Sequence, residues 1–336
     1  IETEKENCGK PQWKKPSVVD GLVIEGTFSG CEADITVSFR SEQSNWLTVD
    51  IETSGSGNQL RFIGASSPEQ MLTGFGAQYS GTQFNGTELP IWCQEQGHGR
   101  GAEPVTELLS SAPGNAAGDW HTSYTCVPWM IQDQQVGLMV NNTERVVFDM
   151  VADDRFQVKA TTNALSLSWV SATDLPDLLT QYTAKTGRMT AFPQWSQEGV
   201  IIRAHGGADA IEETVAQAES AGLPVAALWI EDWCGQRSTA LGTRMLWNWD
   251  VDRNKYPDWE DMVGDLRSRG IRVLAYINPY LVDASDRDDV NRHLFAEAVA
   301  GDYLVKKQDG ELFWMDQAGF EAAVVDLTNP EARDWL

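Results

Sequence analysis

The first half of the chain alternates short runs of β-branched and aromatic residues with turn-forming clusters. Glycine, serine and asparagine separate these runs, as at 54–58. Short strands at this spacing are typical of a β-sandwich, and no helical pattern of useful length precedes residue 174. The predicted strands cover 20–28, 34–40, 46–52, 59–64, 136–141, 145–151, 156–161 and 164–169.

The pattern changes after residue 174 to apolar runs that alternate with amphipathic stretches. Asp174 and Pro176 predict the start of a helix, and Gly187 predicts its end. Buried strands that alternate with helices indicate βα units with parallel strands. The alternating elements are predicted at 199–205 (strand), 208–221 (helix), 224–230 (strand), 257–269 (helix) and 271–277 (strand).

These patterns predict two domains. Residues 1–175 form an N-terminal antiparallel β-sandwich, and residues 176–336 form the first part of a (β/α)8 TIM barrel with an insertion near 284–325 and a hairpin around 308–310. A complete barrel takes roughly 250 residues, so a small open α/β domain is the alternative. A further helix start at Asn329 favours a barrel that stops before its later strands.

The chain is strongly acidic, with 49 Asp and Glu against 25 Lys and Arg and a formal net charge of −24. Clustered cations bind phosphate backbones and anionic lipid surfaces, so this charge argues against nucleic-acid and membrane partners. No apolar run reaches the roughly 18 residues that a membrane span needs. The 14 tryptophans either fill a large core, which is the favoured interpretation, or form flat platforms that stack on sugar rings.

The five cysteines lie far apart, and none has the spacing of a metal site. No metal or organic cofactor is therefore expected. An odd number leaves at least one thiol unpaired, and Cys8 with Cys31 is a candidate disulfide if the protein is exported. The acidity favours a periplasmic or extracellular location over a cytoplasmic one. Nothing in the sequence indicates an oligomeric state.

Polar and aromatic residues follow the predicted barrel strands, at the ends where such barrels carry function. Each has an ordinary alternative: the carboxylates as solvated loop residues, the arginines as surface charges and the tryptophans as core anchors. A rim of this kind suits a polyhydroxylated ligand. The rim residues are His205, Glu231, Asp232, Asn278, Pro279, Tyr280 and, in the long second loop, Arg237, Arg244, Trp247 and Trp249.

Four segments of the second half resemble glycoside hydrolase family 31. As a set they cover nearly all of the chain from residue 174 onward, and they are similar to that family's passage from sandwich into barrel and to its early barrel strands. The resemblance implies a carbohydrate-cleaving enzyme. The four segments are 174–195, 229–233, 256–280 and 325–330.

Two further passages, 90–101 and 232–249, resemble the sulfoquinovosidase branch of that family. In those enzymes an arginine and a tryptophan three residues later bind the sulfonate of sulfoquinovose, and Arg244 and Trp247 have that spacing. The chemistry agrees, because a sulfonate is a permanent anion and a guanidinium offers several fixed N–H donors without losing its charge. The resemblance therefore implies a small-molecule sugar substrate that bears a sulfonate.

The resemblance also implies roles for four other residues. Glu231 and His205 complete the pocket, although the family has glutamine or lysine where His205 stands. The sequence leaves open whether Glu231 pairs with His205 or binds a sugar hydroxyl. Asp232 is similar to the family's sugar-hydroxyl contact. Glu95 lies in a glycine-rich loop that in the family reaches over the barrel mouth on the leaving-group side, and packing at the domain junction is the alternative.

The implied reaction is that of a retaining exo-α-glycosidase that cleaves sulfoquinovosides such as sulfoquinovosyl glycerol. By resemblance, its nucleophile and its acid/base are aspartates on later barrel strands, about 5–5.5 Å apart. Both are expected beyond Leu336, so no catalytic residue is assigned and the chain alone is expected to be inactive. An α-glucosidase or α-xylosidase of the same family and a non-catalytic sugar-binding module are the alternatives.

Overall fold

The computed structural model describes residues 8–18, 22–43, 45–55, 57–111, 117–239, 242–287, 290–317 and 319–336. These residues form two compact units, with the boundary between Met189 and Thr190. None of the helices within these ranges is long and apolar enough to cross a membrane.

The first unit consists mainly of β-strands. Its elements are β1 (Gln12–Trp13), β2 (Ser17–Val18), β3 (Leu22–Phe28), β4 (Ala33–Gln43), β5 (Trp46–Thr53), β6 (Leu60–Ala65), β7 (Leu72–Gly76), β8 (Glu88–Ile91), β9 (His98–Gly99), α1 (Val105–Ser110), β10 (Ala117–Gly118), β11 (Cys126–Gln132), β12 (Val136–Val140), β13 (Val146–Asp149), β14 (Arg155–Ala160), β15 (Ala164–Ser171) and α2 (Leu175–Thr186). One sheet runs β1-β3-β4-β5-β15-β12-β11-β7 with β2 beside β3, a second runs β6-β14-β13-β8, and β9 pairs with β10.

Apolar side chains from the two larger sheets fill one core. Leu165 and Leu167 of β15 pack in the same cluster as Phe148 of β13 and as Phe156 and Val158 of β14. All five are at most 2 % exposed. Alternate residues of a strand point to the same face, so each sheet presents one apolar face to the other. This arrangement confirms the predicted β-sandwich.

The eight predicted strands correspond to β3–β6 and β12–β15, whereas the sequence does not predict β7, β11 or α1. Pro128 lies inside β11, and a proline argues against a central strand. Gly74 interrupts β7 with a φ of 103°, and a Cβ there would lie 2.4 Å from the Trp129 carbonyl oxygen. The α1 helix has only six residues, too few to show helical periodicity.

Helix α2 packs on the first unit. The Asp174 side chain caps its first turn, and Gly187 follows its last residue with a φ of 94°, as predicted. Leu178 is fully buried in a cluster that includes Trp129 of the nine-stranded sheet. Because of this packing the first unit extends to Met189, beyond the boundary that the sequence predicts after residue 175.

The second unit contains three parallel strands and their connecting helices. Its elements are β16 (Val200–Ala204), α3 (Ala208–Ser220), β17 (Val225–Ile230), β18 (Gln236–Thr239), β19 (Gly242–Met245), α4 (Trp259–Ser268), β20 (Arg272–Ala275), β21 (Tyr280–Leu281), α5 (Leu294–Ala300), β22 (Trp314–Asp316), β23 (Glu321–Val324) and α6 (Pro330–Trp335), with a 3₁₀ turn at Gln194–Gln197. The parallel sheet has the order β16-β17-β20.

One face of this parallel sheet is covered by helices. Leu228 and Ile230 of β17 pack with Ile211 and Val215 of α3 and with Leu266 of α4. Each strand is followed by a helix before the next parallel strand, so the chain forms βα units as the sequence predicts. The predicted strands are longer than the observed ones, most clearly at β20, where the prediction spans 271–277.

Two smaller β-structures extend from the parallel sheet. Strands β18 and β19 form an antiparallel ribbon, and β21, β23 and β22 form an antiparallel sheet. Of these three strands, β22 and β23 lie within the predicted insertion and β21 precedes it. An isolated bridge between Lys306 and Leu312 closes the turn predicted around 308–310. Helix α6 starts as predicted, with the Asn329 side chain accepting a hydrogen bond from the Glu331 backbone at 2.9 Å.

Candidate functional site

Asp232 is a buried anchor just after β17, with 1 % of its surface exposed. Its Oδ1 accepts a hydrogen bond from the Tyr256 hydroxyl at 2.5 Å. Its Oδ2 accepts from Lys255 Nζ at 2.7 Å and from the Gly206 backbone at 3.1 Å. These bonds join the loop after β16 to the segment before α4, so Asp232 fixes the ends of two neighbouring strands.

The ionisation of Asp232 follows from these partners. Burial by itself raises the pKa of the carboxyl group, but the hydrogen bonds from Lys255 and Tyr256 outweigh burial and lower that pKa below its ordinary value. Burial and the same carboxylate raise the pKa of Tyr256, so its hydroxyl remains a donor. Both oxygens have partners inside the protein, and the predicted sugar contact of Asp232 stays a prediction.

Glu231 pairs with an arginine of the neighbouring strand. The Arg203 guanidinium of β16 forms an ion pair with the Glu231 carboxylate. Ile202 and Ala204, on either side of Arg203, pack in the cluster that contains α3 and α4. Arg203 therefore lies on the opposite face of the sheet. The sequence leaves the partner of Glu231 open, and the structure assigns it to Arg203 rather than to His205.

His205 is exposed directly after β16. It forms no hydrogen bond or ion pair with any residue that the structure describes. The next residue, Gly206, is held by Asp232, so the backbone beside His205 is fixed while its imidazole is open to solvent. This placement leaves the imidazole available to a ligand.

Two arginines lie opposite each other in the ribbon of β18 and β19. Arg237 and Arg244 are direct cross-strand partners. Such partners lie on the same side of a ribbon, where like charges destabilise the pairing. Within the described ranges neither arginine forms an ion pair at salt-bridge distance with a carboxylate. The ribbon therefore presents two positive charges, and no carboxylate of the described residues neutralises them by direct contact.

Arg237 is the half-buried member of this pair. Its guanidinium lies 4.6 Å from the centre of the Phe320 ring. Its Nε–H is buried without an acceptor in the described part of the chain. Burial lowers the pKa of Arg237, and the charge of Asp286 partly offsets this effect. A guanidinium stays charged in a protein, so Arg237 still has an N–H group that can donate a hydrogen bond to a ligand.

Trp247 follows the ribbon in a strained backbone conformation, with a φ of 57°. A non-glycine residue in the left-handed region costs roughly 1–2 kcal/mol. Three rings hold the indole there: Tyr280 at 5.4 Å and Trp249 at 6.5 Å stack on it, and Phe320 meets it edge-on at 5.2 Å. Because Phe320 contacts both Arg237 and Trp247, the cationic ribbon and the indole share one corner of the second unit.

Trp247 is the outer member of a row of indole rings. Trp259, Trp233, Trp249 and Trp247 follow one another with centroid separations of 6.2, 6.4 and 6.5 Å. The N–H groups of Trp233 and Trp249 donate to backbone carbonyls that follow β20, at 3.0 and 2.8 Å. The N–H of Trp247 has no acceptor among the residues described. Trp233 and Trp249 therefore use their N–H groups inside the protein, whereas the N–H of Trp247 stays available as a donor.

Glu95 lies in the first unit, in the segment after β8. Its carboxylate accepts a hydrogen bond from the Tyr124 hydroxyl. This bond is the main reason why the pKa of Tyr124 is raised. Glu95 is exposed, and its predicted position on the leaving-group side of a substrate stays a prediction.

Comparison with known protein families decides the assignment of the second unit. Residues 189–336 match the TIM-barrel domain of the glycosyl hydrolases of family 31. This segment of the chain belongs to glycoside hydrolase family 31. The match begins at Met189, one residue before the second unit starts at Thr190, so the family-31 segment and the structural unit nearly coincide.

Full-length relatives extend the similarity into the first unit. The chain is 30 % identical to the sulfoquinovosidase of Escherichia coli K12 over 94 % of its own length and 46 % of that protein. It is 28 % identical to the sulfoquinovosidase of Agrobacterium fabrum, over 83 % of this chain and 41 % of that protein. An α-xylosidase of Lactiplantibacillus pentosus is 24 % identical, over 80 % and 31 %. The chain spans less than half the length of these relatives.

Solved structures agree with the sequence comparison. A family-31 sulfoquinovosidase from E. rectale, in complex with an aza-sugar inhibitor, matches with a TM-score of 0.85 and 28 % identity, over 97 % of this chain and 47 % of that one. The family-31 dextranase of Flavobacterium johnsoniae matches with a TM-score of 0.67 and 16 % identity, over 99 % and 45 %. The dextranase match shows a shared fold only.

Sequence reasoning misses the parts of this family-31 site that depend on distant segments. Lys255 and Tyr256 lie more than twenty residues from Asp232, and no local pattern links them to it. Arg237 is predicted as a rim residue without a separate role. Arg203 could have been found, because it is the one charged residue in the apolar run of β16.

Proposed function

We propose that this chain carries the substrate-recognition part of a retaining family-31 exo-α-glycosidase that cleaves sulfoquinovosides, in which Arg244 and Trp247 bind the sulfonate. The similarity to two bacterial sulfoquinovosidases and to a sulfoquinovosidase structure supports this proposal. In a retaining reaction one carboxylate forms a covalent glycosyl-enzyme and a second serves as acid and base. The residues proposed here bind and orient the sugar for that reaction.

The pair of arginines across the ribbon is the observation that carries the proposal. A chain with a net charge of −24 places Arg237 and Arg244 opposite each other, without a direct carboxylate partner in the described residues. A permanent anion between them would relieve their repulsion. The three oxygens of a sulfonate can accept from two guanidinium groups at once. A neutral glucoside offers no such charge.

The sugar ring requires further contacts, which we assign to the strand ends. Glu231 can accept from a hydroxyl group while it remains paired with Arg203. The exposed imidazole of His205 can donate or accept at the same edge of the sheet. Asp232 holds the backbone on which both residues stand, so it is a positioning residue in this proposal.

A substrate panel tests the proposed function. The protein that carries residues 1–336 is assayed with nitrophenyl α-sulfoquinovoside and with nitrophenyl α-glucoside. We expect kcat/KM for the sulfonated substrate to exceed that for the glucoside by at least about a hundredfold, since one charge-assisted contact site distinguishes them. Faster turnover of the glucoside would overturn the sulfoquinovoside proposal and leave only the family assignment.

Substitution of Trp247 by phenylalanine separates its two roles. Phenylalanine keeps a ring for stacking on Tyr280 but removes the N–H that would donate to the sulfonate. We expect kcat/KM for the sulfoquinovoside to fall about tenfold, because a hydrogen bond to a charged group is worth about 1.5–3 kcal/mol and water replaces part of it. Trp335, whose N–H donates to Glu297, is the matched control. An equal loss in Trp335→Phe would contradict the assigned contact.

We also propose that the protein functions in the periplasm or outside the cell. Cys8 and Cys31 form a disulfide, and such bonds persist in oxidising compartments. The high negative charge agrees with this location. Cell fractionation tests it, and recovery of the protein in the cytosolic fraction would contradict it.

A further inference from the structure

Two free cysteines of the first unit have their sulfur atoms in contact. Cys93 follows β8 and Cys126 opens β11, 33 positions later in the chain. Their Sγ atoms are 3.0 Å apart. A disulfide bond is about 2.05 Å long, so an approach of about 1 Å would join them. Cys93 is exposed and Cys126 is half-buried.

The backbone holds the two segments side by side. Cys93 forms a parallel bridge with Ser123, and the Gln94 backbone N–H donates to the Ser123 carbonyl at 3.0 Å. The Gln94 side chain donates to Thr122 Oγ1 at 3.1 Å. These contacts lie on one side of the sulfur pair, where they hold the two backbones together next to the thiols.

A metal site does not account for this pair. The described residues contain no group of three or more His, Cys, Asp or Glu side chains that could hold a metal ion, whereas a structural zinc site uses four ligands. Burial, together with the hydrogen bond that it shares with Cys93, raises the pKa of Cys126 to about 12. Cys126 is therefore a protonated thiol at neutral pH.

We propose that Cys93 and Cys126 form a second, redox-dependent disulfide when the protein meets a low-molecular-weight disulfide such as oxidised glutathione. The exposed Cys93 thiolate attacks one sulfur of that disulfide and releases one glutathione thiolate. Cys126 then loses its proton and attacks the Cys93 sulfur of the mixed disulfide, which releases the second glutathione. Two protein thiols are oxidised, one disulfide is reduced, and the two protons go to the two glutathione molecules.

This bond would fix the segment that carries Glu95. Glu95 follows Cys93 closely in the sequence, and Tyr124 shortly precedes Cys126. The two side chains share a hydrogen bond. A covalent link between Cys93 and Cys126 would hold these two side chains in register. It would also restrict the unfolded chain, because a closed loop of this length reduces the entropy of the unfolded state. The proposal stands on the first unit alone and does not depend on the substrate.

Peptide mapping tests the bond directly. The chain is equilibrated with oxidised glutathione, its remaining thiols are alkylated under denaturing conditions, and the digest is analysed by mass spectrometry. We expect one peptide pair linked through Cys93 and Cys126, while the buried Cys234 is recovered in alkylated form. A persistent glutathione adduct on Cys93 with Cys126 alkylated would overturn the proposal, and this result needs no variant.

Thermal unfolding provides the second measurement. Oxidised wild-type protein should unfold about 5 °C higher than the equally treated Cys93→Ser variant. Both proteins retain the Cys8–Cys31 disulfide, so that bond cancels in the comparison. Cys234→Ser is the matched control, and its melting temperature should still rise on oxidation as that of the wild type does. If Cys93→Ser fails to fold, Cys126→Ser replaces it, and equal melting temperatures with and without the thiol pair would contradict the proposal.

Discussion

Replacing Arg244 with alanine should lower kcat/KM for a sulfoquinovoside by about a hundredfold to a thousandfold. The variant leaves a sulfonate without one of its two guanidinium partners, and loss of one partner of a charged pair in a site costs about 2–5 kcal/mol. The range corresponds to about 3–4 kcal/mol of transition-state binding. For a neutral α-glucoside, kcat/KM should change by less than about threefold. Steady-state kinetics with both nitrophenyl glycosides gives the comparison.

Two further variants sharpen this test. Arg244→Lys keeps the charge but loses the planar fork, so its kcat/KM should lie between those of the wild type and Arg244→Ala. Arg155 of β14, whose described ion pair is with the neighbouring Asp154, is the matched control. Arg155→Ala should leave both substrates unaffected. Equal losses for the sulfonated and the neutral substrate in Arg244→Ala would show that Arg244 does not recognise the sulfonate.

Asp232→Asn should lower the free energy of unfolding of the second unit by about 3–5 kcal/mol. The substitution preserves the size of the side chain but leaves Lys255 without its carboxylate partner, and breaking a buried ion pair from one side has this cost. Urea unfolding followed by tryptophan fluorescence measures the loss, because the indole row lies in the same unit. Asp209→Asn, at the exposed start of α3, should cost less than about 1 kcal/mol. Equal costs in the two variants would contradict the anchoring role.

The pH dependence of unfolding provides a signature of the same carboxylate. The pKa of Asp232 is lower in the folded protein than its ordinary value of about 3.9. Its contribution to stability is therefore complete above that ordinary value and is lost as the pH falls through the folded pKa. Wild-type protein should lose this part of its stability below about pH 4, whereas Asp232→Asn should lack that component. Parallel acid-unfolding curves would be the contrary result.

The main elements of the fold could be predicted because their signals are local. Runs such as 225–230 are apolar without interruption, and Asp174 with Gly187 marks both ends of α2. Strand β11 could not be predicted, because Pro128 lies at an irregularity in its pairing with β7, a strand that is remote in the sequence. The unit boundary differs for a related reason: the packing of α2 on Trp129 is a tertiary contact.

In the candidate site, too, some residues are indicated by the sequence and others are brought together only by folding. The roles of Arg244 and Trp247 are implied by the resemblance to sulfoquinovosidases, and they stay predictions. The supporting role of Asp232 depends on Lys255 and Tyr256, which approach it only after folding. The cross-strand position of Arg237 depends on a ribbon whose polar strands carry no alternating apolar pattern. Partners brought together by folding therefore account for most of what the sequence did not predict.

The ribbon that carries Arg237 and Arg244 has a consequence for affinity. Pairing between only two short strands is marginal by itself, so such a ribbon belongs to the parts of a protein that open most easily. An anion that binds to the arginines of both strands would stabilise the paired state of the ribbon. Apparent affinity is then the intrinsic affinity multiplied by the closed fraction. Stiffening the ribbon would tighten ligand binding without the addition of a single new contact.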